Sequence, residues 1–131
     1  MSPGYVKLQH GVLSPTAGSG EHAAPTAGET KTLWVSNANV NNTYGGAKFK
    51  RLICNIYSSH ASVADGLKFE ESNDGSTWRT LVNYSVAANT YTKNIVATDA
   101  PFVRVRYANP AVTLTAWEMS IYGDHEERGN V

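Results

Sequence analysis

The chain is poor in cysteine and in long apolar runs, and each shortage excludes a class of protein. Its 131 residues include one cysteine, Cys54, which rules out an intrachain disulfide framework and a cysteine-based zinc site. No apolar run reaches the ~18 residues that a membrane-spanning helix needs. Met1–Leu13 has neither the basic start nor the apolar run of a secretory signal. We therefore expect no membrane partner and no signal-directed export.

The chain also lacks an excess of charge of either sign. Lysine plus arginine number 11, aspartate plus glutamate number 11, and charged residues make up only 17% of the total. A general nucleic-acid binder needs a basic excess, so we expect no nucleic-acid partner. Glycine, proline, asparagine, serine and threonine together supply 50 of the 131 residues, and this turn-rich composition disfavours long helices.

What remains is a series of short apolar segments, separated by turns and spaced about ten residues apart. Between Phe49 and Tyr57, apolar residues occupy both faces, which indicates a central strand that is covered on both sides at least in part. The spacing predicts an all-β fold, a single-domain β-sandwich or jelly roll of about seven or eight strands. The predicted strands are Leu33–Ser36, Phe49–Tyr57, Leu67–Glu71, Trp78–Val82, Tyr91–Ala97, Phe102–Tyr107 and Val112–Tyr122.

The domain organisation follows the change in composition near residue 30. Residues 1–30 hold 5 of the 11 glycines and 3 of the 5 prolines, and they predict an extended N-terminal arm. Residues 31–123 form the predicted sandwich, and residues 124–131 a polar tail. The arm contains a small apolar cluster, which either adds a short strand or docks on a neighbouring subunit: Tyr5, Val6, Leu8, Val12 and Leu13.

The strongest local signal is a hairpin from Leu67 to Val82. Asn73-Asp74-Gly75 is a reverse-turn sequence between two alternating apolar segments. In the second half of the chain, Trp117 shares its strand parity with Met119 and Ile121, which predicts that it faces the core.

No catalytic constellation emerges from the residue pattern, and we expect a protein that is not an enzyme and has no cofactor or metal. Glu70 and Glu71 are adjacent, so a strand directs them to opposite faces, and without a bulge they cannot act as a carboxylate pair. Cys54 shares a face with Leu52 and Ile56, which predicts a buried, inert thiol. The four histidines lie in segments that read as arm, loop or tail.

Four residues are candidates for ligand contact. Arg104 and Arg106 share one strand face, where they either grip a ligand or pair with glutamates such as Glu70 or Glu118. Trp78, close to the hairpin turn, is a candidate platform for stacking on a sugar ring, with Tyr84 nearby in sequence.

Two segments carry a resemblance to known proteins. Leu67–Trp78 reads LKFEESNDGSTW and Ala100–Tyr107 reads APFVRVRY. Together they resemble β-sandwich modules of phage virion proteins, such as head decoration and tail-associated proteins, and more distantly discoidin-type modules that bind sugars or lipids. The resemblance spans about a third of the chain, residues 67–107.

The resemblance implies a structural role. It suggests a capsid decoration or cement protein that is made in the host cytoplasm and resides on the capsid surface of the virion. Its partners would be the major capsid protein and further copies of itself, as a dimer or trimer. The alternative is a carbohydrate-binding β-sandwich module of a phage tail or of a secreted protein.

Overall fold

A computed structural model describes residues 5–12, 21–35, 43–44, 47–48, 51–98 and 100–124. All the regular secondary structure within these ranges is β-strand, in eleven segments. They are β1 (Tyr5–Val12), β2 (Glu21–Ala23), β3 (Thr30–Val35), β4 (Thr43–Tyr44), β5 (Ala47–Lys48), β6 (Arg51–Ser58), β7 (Leu67–Ser72), β8 (Arg79–Tyr84), β9 (Thr92–Ala97), β10 (Phe102–Ala108) and β11 (Trp117–Asp124).

Nine of these strands form two facing sheets. The larger sheet has the order β2-β1-β11-β6-β9 and the smaller sheet the order β3-β10-β7-β8, while β4 and β5 form a separate ribbon. Neighbouring strands are antiparallel, except that β2 runs parallel to β1. This architecture confirms the predicted all-β sandwich.

The core lies between the sheets and is built from alternate residues of each strand. On β6 and β10 every second side chain is buried, which is the periodicity of a strand with one face against a core. Tyr107 of the smaller sheet and Trp117 of the larger sheet meet edge to face across the core, with ring centroids 5.0 Å apart. Trp117 is 2% exposed, so its predicted inward orientation is confirmed.

Cys54 is fully buried in this core. Burial raises the pKa of its thiol to about 12, because the thiolate would lose its hydration. The thiol is therefore protonated and shielded at neutral pH, as expected from the pattern of β6.

Part of the predicted N-terminal arm lies in the sandwich, and its apolar cluster adopts the first of the two predicted alternatives, an added strand. Tyr5–Val12 is the strand β1, which pairs along its length with β11 inside the larger sheet. β11 pairs with β6 on one side. On its other side, the main-chain groups of β11 pair with β1 and so find hydrogen-bond partners. Of the predicted partner contacts, Tyr5, Val6, Leu8 and Val12 lie in β1, and Leu13 lies outside the described residues. The predicted polar tail beyond Asp124 also lies outside the described residues.

A turn at Thr26–Glu29 fastens the beginning of β3 to the far end of β10. The Thr26 amide donates to Glu29 Oε1 at 2.8 Å, and Gly28 takes a φ of +74° that suits glycine. Asn109, 3% exposed, donates through Nδ2 to the carbonyls of Thr26 and Val112. This part of residues 1–30 therefore belongs to the sandwich as well.

The hairpin predicted between Leu67 and Val82 is present as β7 and β8. Ser72 Oγ accepts hydrogen bonds from the amides of Asp74 and Gly75, and Asp74 Oδ1 accepts from those of Ser76 and Thr77. Gly75 has a φ of +80°, which explains the glycine at this position. The hydrogen bonds that the Thr77 and Ser76 amides and the Ser72 hydroxyl donate to the Asp74 carboxylate lower its pKa to about 2.

The last strand is shorter than predicted. It begins at Trp117 rather than at Val112, because the Val112 amide turns back to the Pro110 carbonyl at 2.7 Å. Ser59 then holds the next two residues. The Thr115 amide donates to Ser59 Oγ, and the Ser59 amide donates to the Ala116 carbonyl.

Asn109→Ala should lower the free energy of unfolding by about 2 kcal/mol, because two hydrogen bonds from the buried Asn109 amide are lost, each worth about 1 kcal/mol. Urea denaturation monitored by circular dichroism measures this. Asn83→Ala, at an exposed position of β8, is the control and should change stability by less than about 0.5 kcal/mol. Equal losses in the two variants would mean that Asn109 does not fasten the turn.

The Asp74 carboxylate should make stability depend on pH at the acid end. Its folded pKa, about 2, lies below the ordinary unfolded value of about 3.9, so its contribution is present above pH ~4 and is lost as the pH falls through 2. The difference in Tm between the wild type and Asp74→Asn should therefore shrink between these pH values. A difference that is the same at pH 2 and pH 7 would contradict this role.

Candidate functional site

The smaller sheet brings two of the predicted ligand residues together on its outer face. The Arg104 guanidinium carbon lies 4.3 Å from the centre of the Trp78 ring, a cation–π arrangement. Arg104 Nε also donates to Glu70 Oε1 at 2.6 Å, and the side chains are 22% and 13% exposed. We call Glu70, Trp78 and Arg104 the paired-charge face. Its cross-strand ion pair is one of the two arrangements that the sequence allowed for Arg104.

The other two predicted ligand residues do not complete a site there. Arg106 is half-buried beside Lys68 of β7, its partner in register. Tyr84 packs against Phe69 of the core, edge to face with ring centroids 6.1 Å apart. Tyr84 is therefore on the inner side of the sheet, and it does not share a surface with Trp78 and Arg104.

The outer face of the larger sheet carries a shallow depression of about 280 Å³. We call it the outer groove and define it by five side chains: Asn55, Tyr57, Tyr91, Glu118 and Ser120. Register places them side by side, because Tyr57 is opposite Glu118 and Asn55 is opposite Ser120 on the paired strands β6 and β11. Tyr91 precedes β9 on the other side of β6.

Hydrogen bonds fix the side chains of the outer groove. Tyr91 OH donates to Glu118 Oε1 at 2.7 Å, and Asn55 Nδ2 donates to Ser120 Oγ at 3.1 Å. The rings of Tyr57 and Tyr91 lie 4.7 Å apart at an angle of 41°. The hydrogen bond to Glu118, with its negative charge, raises the pKa of Tyr91, so the phenol stays protonated as a donor.

A second depression continues the outer groove along β6. It measures about 270 Å³ and is lined by Ile53, Asn55, Lys93 and Tyr122. Asn55 borders both depressions, so the two form one strip with aromatic rings, amide and hydroxyl groups, one carboxylate and one ammonium.

The residue pattern did not predict the outer groove. The relevant signal was the second apolar face of β6, where Ile53 and Tyr57 are half-buried in the structure. Tyr91 and Glu118 come from distant parts of the chain, and only strand register makes them neighbours.

The described residues contain no group of three or more histidine, cysteine or acidic side chains placed to hold a metal ion. Within the same residues, no helix is long and apolar enough to cross a membrane.

Glu70→Gln should lower the free energy of unfolding by about 2 kcal/mol, because it removes the charged acceptor from a mostly buried guanidinium. The matched control is Glu71→Gln on the same strand. Its partner Arg79 is 53% exposed and 3.3 Å away, so the expected loss is below about 1 kcal/mol. Chemical denaturation of both variants measures the difference, and equal losses would contradict a structural role for the Arg104 pair.

The fold is similar to a solved structure described as the PBSX exported protein XepA, with a TM-score of 0.68 and 17% sequence identity. The similarity covers 94% of this chain and 37% of that chain, so this chain spans little more than a third of XepA. At this identity the likeness concerns the fold alone.

No curated protein matches the chain in sequence. The family model described as the uncharacterised protein YqxG N-terminal domain matches residues 38–122, which is more than half of the chain. The chain therefore belongs to the YqxG N-terminal domain family.

Proposed function

We propose that this chain is a non-enzymatic, phage-associated structural protein, and specifically a capsid decoration protein on the surface of a phage head. The observation that carries the phage association is the likeness of fold to XepA, an exported protein of phage PBSX, along nearly the whole of this chain. The finer assignment to the capsid rests on the resemblance of residues 67–107 to virion β-sandwich modules.

The adhesive contacts in this proposal are made by sheet edges. A strand at the edge of a sheet presents unpaired main-chain groups to which a segment of a partner adds by hydrogen bonding. In the described part of the chain, β9 and β3 are such edges, and each exposes an aliphatic side chain: Ile95 is 52% and Val35 47% exposed. Many copies with weak edge contacts add up to strong attachment through multivalency.

The partners are the major capsid protein and other copies of this chain. Because β1 is part of the chain's own larger sheet, we assign the first contacts to the sheet edges rather than to residues 5–12. A contribution of Tyr5, Val6, Leu8, Val12 and Leu13 to a neighbouring subunit, and assembly into a dimer or trimer, stay predictions.

The copy number of this polypeptide in purified phage particles should be comparable to that of the major capsid protein. Quantitative mass spectrometry measures the ratio. A low ratio, like that of a portal or tail-fibre protein, would overturn the decoration assignment, and absence from particles would overturn the virion proposal.

Rebinding to particles that lack the protein tests the edge contacts. Ile95→Lys places a charge on the β9 edge and should reduce occupancy. Val63→Lys is the matched control, since Val63 is an exposed aliphatic residue in a loop between β6 and β7, 38% exposed. Equal occupancy of the two variants would show that the β9 edge is not a contact.

Carbohydrate binding is the second candidate function, but the residues first considered for it do not form a platform. One face of the Trp78 ring is occupied by Arg104, and Tyr84 points to the core. The larger sheet supplies the observation that favours this function.

A further inference from the structure

We propose that the outer groove of the larger sheet is a binding site for a neutral carbohydrate chain. The site consists of Tyr57, Tyr91, Asn55, Glu118 and Ser120, and it lies on the opposite sheet from Trp78 and Arg104. It does not depend on where the protein resides, so it stands or falls separately from the virion proposal.

The first argument is an aromatic platform that is both exposed and fixed. Tyr91 is 68% exposed, so most of its ring surface is accessible for stacking. Its ring leans on Tyr57, and the two phenol groups are anchored, Tyr91 to Glu118 and Tyr57 to Asn89 Oδ1 at 3.3 Å. A ring held in place loses little side-chain entropy when the apolar face of a sugar stacks on it.

The second argument is the set of polar groups beside the rings. Glu118 offers carboxylate oxygens as acceptors, while the Asn55 amide and the Ser120 hydroxyl both donate and accept. Neighbouring hydroxyl groups of a sugar need this mixture, because each hydroxyl donates one hydrogen bond and accepts others. Recognition of an apolar surface alone would need no such groups.

The third argument is charge. Across the two depressions the ionisable side chains of opposite sign are Glu118 and Lys93, one of each. An anionic ligand in the first depression would meet the Glu118 carboxylate, which is unfavourable at close range. This balance selects an uncharged ligand rather than a phosphate or a nucleic acid.

The fourth argument is shape. The two depressions share Asn55 and extend along β6 from Ile53 to Tyr57, a distance of about 13 Å at the usual rise of a strand. At about 280 and 270 Å³, each is close to the small end of ligand sites, about 300 Å³. Adjacent rings of one oligosaccharide therefore have room to lie side by side along the strand.

The test is an array of neutral oligosaccharides, including oligomers of glucose and of N-acetylglucosamine, probed with the full chain. The wild type should bind at least one of them, and Tyr91→Ala should weaken that binding about tenfold through loss of the stacking ring. Leu81→Ala, at an exposed position of the other sheet, is the control and should bind like the wild type. Thermal melting shows that both variants are folded.

Three outcomes would overturn the proposal: no binding to any neutral glycan, binding that Tyr91→Ala leaves unchanged, or binding that Trp78→Ala abolishes while Tyr91→Ala does not. Nuclear magnetic resonance gives a second readout that does not rely on a variant. On titration with the best glycan, the side-chain amide signals of Asn55 should shift. If they do not move at saturation, the ligand is not in the outer groove.

Discussion

Burial of alternate side chains between the two sheets is the constraint on which the rest of the structure depends. The period of a strand is two residues, so a slip of one residue would turn Leu52, Cys54 and Ile56 outward and expose the core face of β6. The contact of Tyr107 with Trp117 ties this register on one sheet to that on the other. The same register determines both outer surfaces, because the side chains that do not face the core lie in fixed rows on the outside of each sheet.

The two outer surfaces use their polar groups differently. On the smaller sheet, Arg104 is bound to Glu70 and covers Trp78, so the charge and the aromatic ring satisfy each other. On the larger sheet, Tyr91 and Glu118 also bond to each other, but the ring remains largely exposed above a depression. The first arrangement stabilises the sheet, and the second leaves an aromatic ring accessible at the surface.

Closure of the sandwich depends on parts of the chain that are far apart in sequence. β1 pairs with β11, the first and last of the described strands, and Asn109 joins the turn before β3 to the segment after β10. Such contacts bring residues 5–12 and 21–35 into the body of the fold. A composition rich in glycine and proline resembles that of an arm, yet the main-chain groups at the edge of β11 are better satisfied by a paired strand than by water alone.

The residue pattern was enough to predict the strand class, the hairpin at Asn73-Asp74-Gly75 and the inward faces of β6, β10 and β11, because these follow from local period and turn chemistry. The buried state of Cys54 was predictable in the same way, from its parity with Leu52 and Ile56. Three further facts needed the folded structure: Arg104 pairs with Glu70 rather than Glu118, Tyr84 faces inward, and Tyr91 contacts Tyr57 and Glu118. Those facts depend on which strands become neighbours and in what register, and that choice is made by the packing of the whole core.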